Sequence, residues 1–323
     1  VKIAFHRQHR SFQDVESSRL RERLAAHEFY DWFAGEKAPA EDIDVLLVVG
    51  SLDRATIASQ SQLFYIQTAS AGYEGIDVDA ATEHGIWVSF APAGETGNAI
   101  SVAELAIMLM IGASRRLNFA LASVRDHGLT SNHVSTALYG KTACIVGLGS
   151  VGRALVERLG QFGMTLRGTD GHPERAPHGV VAFPTNQLPD AARDADYVIV
   201  CAPSSKDNEN LIDDAMLASM KDGAILINVA RGALVDEDAL AAALQSGHIA
   251  AAGLDVLKVE PADPKNPLLA LPQALITPHI AGSTDVMLVG TFEYLVNVIE
   301  DLVAGKRPHS VVNVPEHPRR ALS

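Results

Sequence analysis

The sequence predicts an α/β protein of two doubly wound domains, each a parallel sheet covered by helices. Three observations carry that expectation. Short apolar runs alternate with helical patterns almost from end to end. The runs fall into two series, separated by one long helical stretch. The chain has 323 residues, whereas single cores stop growing at roughly 250–300 residues.

The first series is Lys2–Phe5, Val45–Val49, Leu63–Gln67 and Ile86–Ser89. These runs are mostly apolar, as parallel strands buried on both faces should be. Ser101-Val-Ala-Glu104 reads as a capping box opening the long helix. Glu104 is then a cap and not a catalytic group. The helix runs through Ile111 to a basic end at Arg115–Arg116, which suits its dipole. The second series is Thr142–Val146, Thr165–Thr169, Tyr197–Cys201, Ala224–Val229, Ala250–Leu254 and Ala274–Thr277. A second long helical pattern, Thr284–Val303, precedes a last expected strand, Ser310–Asn313, and an expected loose tail, Pro315–Ser323. That helix is expected to carry the chain back. The substrate domain is then residues 1–100 plus 284–323, and a dinucleotide-binding domain, 101–283, is inserted into it.

Composition narrows the partners. Hydrophobic content of 47% and charged content of 20% are those of an ordinary soluble globular protein. A net charge of −13 argues against nucleic acid or an anionic membrane surface. It leaves room for a local anion site, because backbone amides at a helix N-terminus can bind phosphate. The weakly polar stretch Val102–Ala113 contains Glu104 and is too short to span a bilayer. Val-Lys-Ile-Ala-Phe at the start reads as a strand and not as a signal peptide. Cys144 and Cys201 each sit in an apolar run, which points to buried thiols in a reducing, cytoplasmic setting. No metal-ligand spacing involves them, and no metal is expected.

The clearest local motif is Gly147-Leu-Gly149-Ser-Val-Gly152. Alone, G-x-G-x-x-G says little. Here it follows the strand Thr142–Val146 and opens a helix, Val151–Phe162. Its glycines give a tight turn, close approach of backbone to a pyrophosphate, and close packing of helix on strand. Asp170 ends the next strand, eighteen residues beyond Gly152. A carboxylate there accepts from both ribose hydroxyls of NAD and repels the 2′-phosphate of NADP, so NAD(H) is preferred over NADP(H). His172 and Arg175 follow closely and are read as part of a solvated loop, with a softening of that preference as the other reading.

Three polar residues follow three successive expected strands: Arg231, Glu260 and His279. Ligands of open α/β sheets bind beyond the carboxyl ends of the strands. Singly, each residue has a plainer role as a loop ion pair, a surface carboxylate or a buried turn residue. Their shared placement, on the edge where Gly147–Gly152 also opens, is what marks them. Each type suits hydride transfer to a 2-oxo acid. Negative charge develops on the carbonyl oxygen, and histidine can supply the proton there. A neighbouring carboxylate favours imidazolium, the part assigned to Glu260. Arginine grips a carboxylate through two parallel hydrogen bonds, the part assigned to Arg231.

With these residues in place, the sequence resembles the D-isomer-specific 2-hydroxyacid dehydrogenase family over most of its length. The likeness lies in Ser70-Ala-Gly-Tyr-Glu-Gly-Ile-Asp77, Ser101-Val-Ala-Glu-Leu105, the glycine motif, Asn228-Val-Ala-Arg-Gly-Ala-Leu-Val-Asp236, Gly253-Leu-Asp-Val256 and Thr277-Pro-His279. The resemblance implies a flavodoxin-like catalytic domain, a Rossmann NAD domain, a homodimer and the same Arg–Glu–His roles. It also implies that Ser70, Ala71 and Gly72 offer amides to the substrate carboxylate. Ser150, Val151, Asp170, Pro203, Asn208, Val229 and Asp255 are implied to line the cofactor, with Gly147, Gly149 and Gly152. There are departures. Arg125–Ser135 lacks the tryptophan often found there, and Val156 stands where alanine is common. Gly50-Ser51 replaces an arginine-serine pair of many phosphoglycerate-oxidising members, which argues against that substrate. No further domain is expected after Asn313.

The expected reaction is interconversion of a small 2-oxo acid, such as glyoxylate, hydroxypyruvate or a pyruvate-like acid, and its D-2-hydroxy acid. Alternatives on the same fold are phosphite-type oxidation and a non-enzymatic NAD(H)-sensing interaction module. Formate oxidation is disfavoured, because such relatives carry glutamine where Glu260 stands. The basic cluster His6-Arg-Gln-His-Arg10 is read as a solvated loop, with a second anion-binding role on the substrate as the sharper reading.

Overall fold

The computed structural model describes residues 1–8, 14–126 and 134–323. The chain divides into two compact units, Val1–Asn98 with Thr284–Ser323, and Ala99–Ser283. Both are parallel α/β sheets.

The first unit runs β1 (Lys2–Arg7), α1 (Asp14–Arg23), β2 (Glu28–Phe33), β3 (Val45–Val49), α2 (Arg54–Ser59), β4 (Tyr65–Thr68), α3 (Val78–Glu83) and β5 (Trp87–Ser89). The sheet order is β2-β1-β3-β4-β5, and every pair is parallel. Alternation along β3 feeds two cores. Val45 and Leu47 pack with Ile3, Phe5 and Tyr65, while Leu46 and Val48 pack with Ile57, Ala80 and Val88. A strand filling two cores has no polar face, hence its unbroken apolar sequence.

In the second unit, α4 (Asn98–Ser114) and α5 (Leu117–Arg125) precede β6 (Thr142–Val146), α6 (Ser150–Gln161), β7 (Thr165–Asp170), β8 (Val180–Pro184), α7 (Leu188–Ala192) and β9 (Tyr197–Val200). There follow α8 (Asp214–Ser219), β10 (Ala224–Asn228), α9 (Glu237–Ser246), β11 (Ile249–Leu254) and β12 (Ala274–Ile276). The order is β12-β11-β10-β9-β6-β7-β8, again all parallel. All seven carboxyl ends therefore lie along one edge. Val102, Ala106, Leu109 and Ala113 of α4 join one core with Ile145, Leu155, Ile199 and Ile227. The other core holds Cys144, Val146, Val198, Leu226 and Leu254. The chain then returns to the first unit through α10 (Asp285–Val303), whose N-cap Thr284 accepts from the amide of Met287. Leu295, Val296, Val298 and Ile299 of α10 belong to the core of Ile3 and Phe5. Among the described residues no single helix is long and apolar enough to cross a membrane.

Several sequence expectations are corrected. The strands β2 and β8 were not anticipated. Both lie at sheet edges, where one flank is solvated, so Glu28 and Asp31 or the half-exposed Val180–Pro184 leave no continuous apolar run. The capping box does not form: α4 begins at Asn98, directly after Gly97 in the left-handed region (φ 73°). Ser101 is therefore a buried residue inside the helix, and Glu104 is exposed.

Ser310–Asn313 is not a strand. It makes one antiparallel bridge, Ser89 with Val311, and Asn313 takes over the pairing. Its Oδ1 accepts from the amide of Val88 (2.7 Å), and its Nδ2 donates to the carbonyl of Ile86 (2.9 Å). The tail is docked and not loose. Arg319 donates through Nη1 to the carbonyls of Gln60 (2.6 Å) and Leu63 (3.0 Å), and the Arg320 guanidinium lies 4.7 Å from the Phe64 ring centre. Ser323 pairs through its backbone with Gly305 and Arg307.

The basic cluster is also corrected where it is described. Arg7 is on β1, 2% exposed, with Nη2 bonded to Asp31 (2.7 Å) and its guanidinium about 5 Å from the Phe5 and Phe33 rings. His6 is buried edge-on to Trp32. Neither residue sits in a solvated loop, and Arg7 is committed to an internal ion pair. His9 and Arg10 lie outside the described residues, as does most of Arg125–Ser135.

Candidate active site

The site is built at the carboxyl ends of β10, β11, β12, β6 and β7. The turn after β6 needs its glycines for different reasons. Gly147 is left-handed (φ 98°), and a Cβ there would lie 2.8 Å from Cα of Ala202. A Cβ on Gly152 would lie 2.1 Å from the carbonyl oxygen of Gly147, so the helix can approach its strand only without a side chain. At Gly149 nothing lies within 4 Å of such an atom. That face is open, and α6 starts beneath it with Gly149 as an N-cap that has no capping side chain. The opening amides of α6, at Ser150, Val151 and Gly152, point outward without intrahelical acceptors. Bare amides, an open cradle and the positive end of a helix fit a pyrophosphate.

Asp170 ends β7 beside this turn. Its Oδ2 accepts from the amide of Leu148 (3.0 Å) and its Oδ1 from the amide of His172 (2.9 Å). The carboxylate therefore ties the glycine turn to the loop that would meet a ribose. Glu174 sits 3.3 Å from His172 and 3.7 Å from Arg175, so both basic residues following Asp170 face a carboxylate. The half-buried Cys201 donates Sγ–H to the carbonyl of Gly147 (3.1 Å). Asn208 closes its loop: Oδ1 accepts from the amide of Ser205 (2.7 Å), and Nδ2 donates to the carbonyl of Pro203 (2.8 Å). Val229 is buried at the end of β10.

Glu260 and His279 are brought into direct contact. Nδ1 of His279 lies 2.6 Å from Oε2 of Glu260, while Oε1 of Glu260 accepts from the amide of Leu257 (3.0 Å). Among the described residues Glu260 is the only carboxylate within 4 Å of that ring. With Nδ1 donating to Glu260, Nε2 is the nitrogen left to exchange a proton. Both side chains are partly exposed, as groups that must meet a ligand should be.

The loop bearing His279 is shaped by Asp255, at the end of β11 and 1% exposed. Its Oδ1 accepts from Thr277 Oγ1 (2.6 Å) and from the amide of Ile280 (3.0 Å), and its Oδ2 from the amide of Ala281 (2.9 Å). The carbonyl of Asp255 accepts from the amide of His279 (2.8 Å). These bonds hold His279 in the left-handed region (φ 53°), a conformation costing roughly 1–2 kcal/mol for a residue with a Cβ. The carboxylate implied to line a cofactor is thus engaged in presenting the histidine.

Arg231 follows β10, and its turn is fixed by Asn228. Nδ2 of Asn228 donates to the carbonyl of Arg231 (2.9 Å), and its Oδ1 accepts from the amide of Ala230 (3.1 Å). A Cβ on Gly232 would lie 2.0 Å from the carbonyl carbon of Leu257, so the Arg231 turn rests on the backbone of the Glu260 loop. The guanidinium donates through Nη1 to the carbonyl of Ala230 (2.8 Å). Asn228 and Thr277 were missed as contributors. The signal available was a polar residue closing an apolar run, inside motifs already singled out.

Ser70, Ala71 and Gly72 lie in the first unit, on the loop after β4. Ser70 donates Oγ–H to the carbonyl of Gly72 (2.9 Å). The amides of Ala71 and Gly72 donate to no protein group among the described residues. There, too, no group of three or more metal-ligating side chains forms.

Comparison with known proteins agrees with this geometry. Residues 107–281 match the family model described as D-isomer specific 2-hydroxyacid dehydrogenase, NAD binding domain. A D-3-phosphoglycerate dehydrogenase of Mycobacterium bovis is 38% identical over 250 residues, 76% of this chain and 47% of that protein. The chain thus spans about half the length of the phosphoglycerate dehydrogenases it matches. Human glyoxylate reductase/hydroxypyruvate reductase is 33% identical over 279 residues, 81% of this chain and 84% of the relative. An NADPH-dependent glyoxylate/hydroxypyruvate reductase from Sinorhizobium meliloti, solved with NADP and malonate, superposes with a TM-score of 0.84 at 28% identity, covering 99% of each chain. A matched NAD-binding unit with the glycine turn, the aspartate after β7 and the histidine–glutamate pair on one sheet edge leads to one assignment: the chain belongs to the D-isomer specific 2-hydroxyacid dehydrogenase family.

Proposed function

We propose that this chain is an oxidoreductase that interconverts a small 2-oxo acid and its D-2-hydroxy acid with NAD(H). The observation that carries the reading is the 2.6 Å contact of His279 with Glu260, on the same sheet edge as the glycine turn. Gly147, Gly149, Gly152 and the amides of Ser150 and Val151 would hold the pyrophosphate. Pro203, Asn208, Val229 and Asp255 would shape the rest of the cofactor site. A bound nicotinamide supplies or accepts the hydride. NAD is favoured over NADP because Asp170 meets the ribose side and Glu174 faces His172 and Arg175, the cations a 2′-phosphate would need.

The chain's own groups do the proton and charge work. In reduction His279 gives the Nε2 proton to the carbonyl oxygen as charge builds there. Glu260 at Nδ1 offsets the charge of the imidazolium and fixes the ring. Arg231 binds the substrate carboxylate and polarises the carbonyl. In oxidation the neutral ring takes the hydroxyl proton. Ser70, Ala71 and Gly72 are assigned to substrate binding, which the two spare amides support. Glyoxylate, hydroxypyruvate and pyruvate-like acids are the candidate substrates. Gln8 Nε2 donates to Ser51 Oγ (2.6 Å) where phosphoglycerate-oxidising relatives often carry arginine–serine, so phosphoglycerate is disfavoured.

We further propose a homodimer in the cytoplasm. The exposed apolar side chains of Met108, Ile111, Phe119, Leu121 and Val124 on α4 and α5 support self-association. The free thiols Cys144 and Cys201 suit a reducing compartment. The test is a screen of 2-oxo acids with NADH and NADPH, with sedimentation equilibrium alongside. Turnover of a 2-oxo acid that His279→Ala abolishes, while NADH still binds, is the expected result. Full activity in that variant refutes the mechanism, and a monomer at micromolar concentration refutes the dimer.

A further inference from the structure

Glu237 opens α9, where a carboxylate is ordinarily explained by the helix dipole. Its two oxygens do something more directional. Capping of α9 is already done by Asp236, which accepts from the amides of Asp238 and Ala239. Glu237 reaches across instead. Its Oε1 accepts from the amide of Lys258 (2.6 Å), and its Oε2 accepts from Nδ2 of Asn266 (2.7 Å).

Those two contacts bracket the segment that carries Glu260. Between Lys258 and Asn266 the chain has no strand or helix, and its side chains are largely exposed. Its own bonds are few: Glu260 accepts from the amide of Leu257 and meets His279, and Asp263 accepts from the amides of Lys265 and Asn266. At the far bracket Asn266 is itself anchored: its Oδ1 accepts from the amide of Leu268 (3.0 Å), and its amide donates to the carbonyl of Asp263 (2.9 Å). At the near bracket Leu257 donates its amide to Glu260, and its backbone lies against Gly232. The turn carrying Arg231 runs directly into Glu237, so one short stretch of chain both presents Arg231 and clamps the Glu260 loop.

We propose that Glu237 is a positioning residue for the reaction: by fixing Lys258 and Asn266 it holds the carboxylate of Glu260 against Nδ1 of His279. The carboxylate of Glu237 bonds to Lys258 and Asn266 and not to the histidine. It acts through the loop, and loss of its bonds leaves an exposed segment free to carry Glu260 away from the ring. The role rests on the dehydrogenase reading given above, but the geometry it claims can be measured without a substrate.

Three variants test it: Glu237→Ala, Glu237→Gln, and the double variant Glu237→Gln/Asn266→Asp. In the double variant the amide at position 237 donates to the carboxylate at position 266 and keeps its oxygen for Lys258, so both brackets are restored with polarity reversed. With glyoxylate and NADH, Glu237→Ala is expected to lower kcat about tenfold, since a misplaced acid–base group forfeits part of a contribution of roughly 10²–10⁴. Its pH profile for reduction should move to lower pH, its NADH dissociation constant should stay that of the parent, and the double variant should recover kcat and profile. Glu237→Gln should fall between them. In parallel, the His279 ring resonance is followed by NMR in the protein without ligands. In Glu237→Ala its chemical shift at a fixed pH should move from that of the parent to that of Glu260→Gln. If the His279 shift in Glu237→Ala stays that of the parent, or if kcat and NADH affinity fall together without recovery in the double variant, the positioning role is overturned. If the parent turns over no 2-oxo acid, the functional reading fails, and the NMR comparison still decides the clamp.

Discussion

Replacing Asp255 by alanine should cost the second unit about 3 kcal/mol, because three hydrogen bonds to a buried carboxylate are lost at once. Bonds to charged groups contribute roughly 1.5–3 kcal/mol each, and they are not additive here. The amide of Ala281 is buried and would be left without its acceptor, whereas Thr277 is only partly buried and Ile280 is exposed, so their donors can turn to water. Part of the loss is returned when His279 relaxes from its left-handed conformation. A change of about 3 kcal/mol in a domain of this size lowers its Tm by roughly 6–12 °C. Tryptophan fluorescence is the wrong probe, because both tryptophans, Trp32 and Trp87, lie in the first unit. Calorimetry together with amide exchange at Ile280 and Ala281 reads the right one. The variant should stay folded, exchange those two amides much faster, and lose turnover. A Tm within about 2 °C of the parent, with exchange unchanged, would refute the claim that this carboxylate shapes the histidine loop.

Gly152→Ala places a Cβ 2.1 Å from the carbonyl of Gly147. Displacing that turn should weaken NADH binding by at least about tenfold, roughly 1.4 kcal/mol, by calorimetric titration. Unchanged affinity would show that the turn does not hold the cofactor. Asp170→Ser should raise the dissociation constant for NADH and lower that for NADPH, narrowing the preference from both sides. A variant that discriminates as the parent does places the choice elsewhere. Burial pushes the Cys144 thiol up from 9.0 to about 12. The unfolded chain therefore releases this proton first, so the stability contributed by Cys144 is full below pH 9 and declines as pH rises towards 12. Iodoacetamide at pH 8 should leave Cys144 unlabelled in the native protein and label it in urea; equal rates in both would contradict the burial.

Much of the site was legible because its chemistry is local. The glycine turn leaves no room for a Cβ at Gly147 and Gly152 and keeps an open face at Gly149, and the spacing can be read along six residues. Arg231, Glu260 and His279 could be singled out because each follows an apolar run, and parallel strands send all such residues to one edge. The edge strands β2 and β8 were not legible, since a strand with a solvated flank need not be apolar. The docked tail was not legible either. Its anchors are the carbonyls of Gln60 and Leu63 and the Phe64 ring, some 250 residues away along the chain.

The sequence by itself therefore determined the two parallel sheets and the dinucleotide turn, and it marked the polar residues that follow the strands, all of which rest on short-range pattern and residue chemistry. Tertiary structure alone decided their geometry. Asp255 supports a strained histidine through bonds to Thr277, Ile280 and Ala281. Arg7, read with a basic surface cluster, became an internal ion pair, and Glu237 became the clamp on the Glu260 loop. In each case the side chain's role depends on which donors and acceptors a distant segment brings within 3 Å, and spacing along one chain carries no information about that.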